Sequence, residues 1–216
     1  MVIKVCGLND IDNINQLMNL NLDLMGLIFY NKSPRFFDLN FVPKSTKKYV
    51  GVFVNESIEI IKKKVRKYSL EYVQLHGDES KDFCEEISAF CKVIKAFRID
   101  ENFKMDQTEI FSNHCKYYLF DTLTKSYGGS GEKFNWNVLL NYNHKKEFIL
   151  SGGISLESTK EIANIKKKLP KLIGIDIKPE YPKNPHITIL NNFKVSQIKM
   201  KKSLLKKIND LIYEKK

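Results

Sequence analysis

Tyr49-Val50-Gly51-Val52-Phe53-Val54 is a run without a charged residue, rich in β-branched and aromatic side chains. Such a run reads as a strand. Apolar and polar residues do not alternate along it, as they would in a strand with one wet face. A near-continuous apolar run fits a parallel strand covered on both sides. Runs of the same kind occupy residues 2–5, 25–29, 71–75, 92–97, 116–120, 147–150 and 172–176, and start-to-start steps are 21 to 31 residues.

Helical patterns lie between these runs. Ile11, Ile14, Leu17 and Met18 share one face, as do Ile58, Ile61, Val65 and Tyr68, then Phe83, Cys84, Ile87 and Cys91, and finally Ile162, Ile165 and Leu169. Ser155 or Ser158 is placed to cap the last of these. A weaker helix is expected over 41–48, despite Pro43, and a short one near 135–140. Eight strands alternating with helices imply an α/β fold with a parallel sheet. A closed (β/α)8 TIM barrel in a single domain, 1–216, fits the even spacing at the compact end of that fold's size range. An open doubly wound sheet is the alternative, but no glycine-rich GxGxxG turn follows residues 2–5. Leu204, Leu205, Ile208, Leu211 and Ile212 fall at helical spacing, so 196–216 is read as an extra basic C-terminal helix.

The chain has 216 residues, 43% of them hydrophobic and 28% charged, enough apolar material for a sizeable core. No apolar stretch suits a membrane span, and the N-terminus reads as a strand rather than a secretory leader. The four cysteines, Cys6, Cys84, Cys91 and Cys115, form no CxxC pair, which fits a reducing cytoplasm and neither a zinc site nor a disulfide framework. The formal charge is +11, yet only Arg35, Arg66 and Arg98 are arginine. Specific nucleic-acid recognition leans on arginine forks, so the lysine excess reads instead as a field that attracts anionic substrates.

A barrel of this type works at the C-terminal ends of its strands. That places Cys6 after strand one, Arg35 after strand two, His76 after strand four, Asp121 after strand six, Gly152 and Gly153 after strand seven, and Asp176 at strand eight. A thiolate at Cys6 would act as base or nucleophile. Asp121 follows four bulky residues, and is either a helix cap or a general acid in a partly apolar mouth. Arg35 offers a planar fork to a carboxylate. Gly129, within Tyr127-Gly128-Gly129-Ser130-Gly131, belongs to a loop suited to closing on a ligand. The Gly152-Gly153 amides, ahead of a helix, form a phosphate nest. His76 is placed to contact substrate. Without a metal cluster or dinucleotide fingerprint, the chemistry is cofactor-free proton transfer on a small phosphorylated carboxylate. A sugar-phosphate epimerase of the same fold is the nearest alternative, and it commonly needs metal ligands that these strand ends lack.

Lys4-Val5-Cys6-Gly7-Leu8, Ser33-Pro34-Arg35-Phe36, Val73-Gln74-Leu75-His76-Gly77-Asp78-Glu79, Leu119-Phe120-Asp121-Thr122, Tyr127-Gly128-Gly129-Ser130-Gly131 and Leu150-Ser151-Gly152-Gly153-Ile154 together resemble phosphoribosylanthranilate isomerase of tryptophan biosynthesis. The resemblance runs over residues 1–177. It implies an Amadori rearrangement with Asp121 as general acid and Cys6 as general base. It also implies that Arg35 holds the anthranilate carboxylate and the Gly152 and Gly153 backbone holds part of the phosphate. It implies no cofactor, no metal, no membrane or nucleic-acid partner, and a monomer or homodimer. The family's usual Asp-Val-Ser-Ser-Gly turn after strand eight is replaced by Asp176-Ile177-Lys178-Pro179. Either Lys178 supplies a side-chain charge there, or phosphate affinity is reduced.

Overall fold

The computed structural model describes residues 1–124, 133–155 and 157–177. Eight strands, β1 (Val2–Cys6), β2 (Leu24–Ile28), β3 (Lys48–Phe53), β4 (Tyr72–Leu75), β5 (Lys92–Ile99), β6 (Tyr117–Thr122), β7 (Phe148–Leu150) and β8 (Leu172–Ile177), pair in sequence order. All pairs are parallel and β8 returns to β1, closing the barrel. The closed barrel expected from the spacing is therefore observed.

Alternation along each strand sorts the side chains into two cores. Leu24, Val50, Tyr72, Ile94, Ala96, Leu119 and Ile149 pack inside the barrel, and Cys6, Ile28 and Val52 form a second interior group. The opposite faces of the strands meet the helices in the large outer core, which holds Val5, Leu27, Phe53, Val73, Phe120 and Leu150. Burial on both sides is why the strands read as continuous apolar runs.

Among the described residues, four α-helices, α1 (Ile11–Met18), α2 (Ile58–Tyr68), α3 (Lys81–Ser88) and α4 (Thr159–Lys168), bury the faces that their periodicity marks. Asp10, Ser57 and Ser80 cap the first three, each accepting from a backbone N–H three residues on. Ser158 stands at the N-cap of α4 but makes no cap bond; its hydroxyl instead exchanges hydrogen bonds with the Ser155 backbone. The expected helix over 41–48 is absent, and the segment is irregular. Pro43 brings no N–H for a helical bond, and its carbonyl accepts from the Tyr49 hydroxyl at 2.7 Å. The short helix near 135–140 is a 3-10 helix, Trp136–Asn141. A second 3-10 helix, Met105–Phe111, lies between β5 and β6. The expected C-terminal helix at 196–216 lies outside the described residues, and so do Gly129 and Lys178.

Candidate active site

The strands bring Cys6, Arg35, His76, Asp121, Gly152, Gly153 and Asp176 to one end of the barrel, within or just after β1, β2, β4, β6, β7 and β8. Cys6 closes β1 and is 2% exposed. Gly26 faces it on β2, and a Cβ there would stand 2.7 Å from the thiol sulfur. Glycine at 26 thus makes the room that the Cys6 side chain occupies. Gly7 follows with φ of 81°, a left-handed conformation that glycine adopts freely. Its missing Cβ would lie 2.8 Å from Arg35 Cδ. Arg35 therefore packs against Gly7, the residue after Cys6, and it is buried.

Asp121 falls within β6, which runs further than the apolar pattern indicates, and Arg98 likewise lies within β5 as its cross-strand partner. Asp121 caps no helix among the described residues. Its Oδ1 accepts from the Thr122 N–H at 3.0 Å, and its Oδ2 stands 3.3 Å from His76 Nε2. Gln74 continues this line, with its Nε2 2.7 Å from His76 Nδ1. The Gln74 amide thus holds one ring nitrogen and turns the other, Nε2, toward Asp121. All three side chains are buried.

Gly152 and Gly153 have φ of 85° and 61°. A Cβ on Gly152 would come 2.3 Å from the Thr122 hydroxyl and 3.3 Å from Asp121 Oδ1, and one on Gly153 would meet Lys133 Cβ at 2.5 Å. The two glycines thus let the β7 turn lie against the end of β6, beside the candidate acid.

Asp176 sits deeper. Its Oδ2 accepts from Lys4 Nζ at 2.9 Å, and both side chains are wholly buried. Burial works against the ammonium, but the Asp176 carboxylate and then Cys6 more than offset it and hold its pKa above the ordinary lysine value. Lys4 therefore stays charged at neutral pH.

Sequence reasoning passed over Lys4 as one lysine among many, and it also passed over the brace around His76. Glu79 accepts from the Asn55 and Gly77 backbone N–H groups at 2.9 to 3.1 Å. Lys95 donates to Glu79 Oε2 at 3.0 Å and to the Gly77 carbonyl at 2.8 Å. Only register shows these contacts; the hint in sequence was a lysine inside an otherwise apolar strand, Val93-Ile94-Lys95-Ala96-Phe97.

Residues 3–179 match the family model of N-(5'-phosphoribosyl)anthranilate isomerase. The chain belongs to the phosphoribosylanthranilate isomerase family. A relative of that name from Parabacteroides distasonis is 35% identical over 202 residues, covering 90% of each chain. The crystal structure of phosphoribosyl anthranilate isomerase from Thermotoga maritima is 27% identical, with a TM-score of 0.77 over 97% of this chain and 99% of that one. Another structure of the isomerase, 24% identical with a TM-score of 0.74 over 97% of this chain and 99% of that one, holds reduced 1-(o-carboxyphenylamino)-1-deoxyribulose 5-phosphate and is similar in fold. The site assembled above lies wholly within the segment that matches this isomerase family.

Proposed function

We propose that Cys6 and Asp121 are the base and acid with which this chain isomerises N-(5-phosphoribosyl)anthranilate in tryptophan biosynthesis. The activity follows from family membership across most of the chain. The observation that carries the residue roles is the single buried mouth, where a thiol on β1 and a carboxylate on β6 flank an arginine fork and a glycine turn.

Asp121 protonates the ribose ring oxygen as the C1–O bond breaks, and the anilino nitrogen lone pair forms the C1=N bond of a Schiff base. Cys6, as thiolate, removes the C2 proton. The electrons move into C1=C2 and neutralise the nitrogen, giving an enolamine. Its tautomerisation yields 1-(2-carboxyphenylamino)-1-deoxyribulose 5-phosphate. All bonds made and broken lie within the substrate and the enzyme's own groups transfer only protons, so the mechanism draws on no cofactor.

Arg35 holds the anthranilate carboxylate, since a guanidinium meets a carboxylate through two parallel bonds. The Gly152 and Gly153 amides, just ahead of α4, take phosphate oxygens. Ser151 Oγ and Asp176 Oδ1 are buried without a hydrogen-bond partner among the described residues, and they suit sugar hydroxyls. His76 sets the orientation of Asp121. Gly129 and Lys178 complete the substrate site from the segments that follow β6 and β8. The substrate is thus a phosphorylated carboxylate, and the enzyme works in the cytoplasm as a monomer or homodimer. Four free cysteines support that compartment.

Growth of a tryptophan auxotroph lacking this isomerase tests the reading. The gene for this chain should restore growth, and its Asp121→Asn form should not. Failure of the unaltered chain, expressed and folded, would remove the assignment.

A further inference from the structure

We propose that Lys4 is a positioning residue that sets the ionisation of Cys6, with Asp176 holding Lys4 in place and tempering its effect. The inference rests on reading Cys6 as the general base.

Lys4 and Cys6 are two residues apart on β1, so both point into the barrel. Lys4 is paired with Asp176 in the β1–β8 register, and the Nζ–Oδ2 distance is 2.9 Å. An ammonium carries three donors, and a buried one needs them met. One goes to Asp176, and the ammonium sits one interior position from Cys6 on the same strand, near enough for its charge to be felt there. Barrel packing does not call for a buried lysine here: Leu24, its register partner on β2, packs with Val50, Ile94, Leu119 and Ile149 in an apolar interior. A wholly buried charge is costly and persists only when paired.

The chemistry explains the arrangement. A base that removes a carbon-bound proton must be deprotonated while free of substrate. A cation beside a thiol favours the thiolate and lowers its pKa. Asp176 neutralises that cation and limits how far the thiol is acidified, because a thiolate that is too weak a base would not take the C2 proton. Among the described residues the other ionisable groups at the mouth are Tyr30, packed against the Cys6, Ile28 and Val52 group, Arg35 after β2, His76 on the turn after β4, Arg98 on β5 and Asp121 on β6. Arg35 lies across Gly7, His76 faces Asp121, and Arg98 bonds Asp78 at 2.9 Å. Lys4 instead sits one interior position before Cys6 on β1 itself, with Asp176 beside it on the neighbouring β8.

The two partners carry opposite charge, so their removal must move Cys6 in opposite directions. A merely structural role for the pair would produce no such sign. The measurement is thiolate ultraviolet absorbance against pH for the full-length protein, Lys4→Met and Asp176→Asn, each corrected by the same protein carrying Cys6→Ser. That subtraction removes Cys84, Cys91 and Cys115. In Lys4→Met the Cys6 midpoint should rise by about one pH unit or more, and in Asp176→Asn it should fall. The acidic limb of kcat against pH should shift with it. Any other pattern, with midpoints unmoved or moved together, overturns the proposal. If Lys4→Met does not fold, the near-isosteric Asp176→Asn decides alone: a lower midpoint supports the proposal, and an unchanged or higher one overturns it. The absorbance titration needs no turnover. A chain that fails as an isomerase would still report whether Lys4 governs Cys6.

Discussion

His76 Nε2 stands 3.3 Å from Asp121 Oδ2, and the Gln74 amide on the far side of the ring fixes which nitrogen faces the carboxylate. Asp121 is therefore held from two sides, by His76 at the end of β4 and by the backbone of its own strand. Its second oxygen is tied to the Thr122 N–H. Between them the two bonds leave the carboxyl little freedom to rotate.

Loss of the ring should therefore mis-set the acid without removing it. His76→Ala is expected to lower kcat by up to about a hundredfold, the cost of a displaced catalytic group. In the Asp121→Asn background the same change should cost little more, because residues that act as a unit are not additive. Steady-state kinetics of the two single variants and the double variant check this; full additivity would contradict it.

Two glycines should separate binding from chemistry. Gly7→Ala sends a methyl against Arg35 and strains a left-handed backbone, so the substrate KM should rise more than kcat falls. Gly26→Ala sends its methyl against the Cys6 sulfur, so kcat should fall more than KM rises. The KM-against-kcat split measured on both variants checks the placement of Arg35 and Cys6.

The alternation of apolar runs and amphipathic stretches made the barrel legible because each strand is buried on both faces. The gathering of Cys6, Arg35 and Asp121 at one end of the barrel was legible because each follows or ends an apolar run that reads as a strand. The irregular segment over 41–48 was misjudged: its apolar residues suggested a helix, but Phe41 is exposed and Pro43 interrupts the bonding. Lys4 and Lys95 were not legible. In a chain with 33 lysines, a buried lysine looks like every other until register brings Asp176 or Glu79 beside it.

The Glu79–Lys95 pair braces the turn that carries His76, and its side chains are 2% and 4% exposed. Removing one partner leaves an uncompensated buried charge. Glu79→Ala should destabilise the protein by about 3–5 kcal/mol. Urea unfolding of that variant and of the exposed control Lys171→Ala checks it, and the control should stay near wild type.

After β8 the sequence reads Lys178-Pro179-Glu180 where the resemblance leads one to expect Ser-Ser-Gly, and a proline has no N–H to offer a phosphate. Lys178→Ala should weaken substrate binding, and the loss should shrink as salt rises, because a lysine meets phosphate as a point charge. Lys171→Ala should not have this effect. Substrate titrations of both at low and high salt check it; equal and negligible effects would leave the Gly152-Gly153 amides as the whole site.

The most direct measurement is turnover of N-(5-phosphoribosyl)anthranilate by the purified chain, without added metal or cofactor, beside Cys6→Ser and Asp121→Asn. The account predicts product from the unaltered protein and a fall in kcat of about 10²- to 10⁴-fold in each variant, with KM little changed. Near-normal turnover in both variants would contradict it.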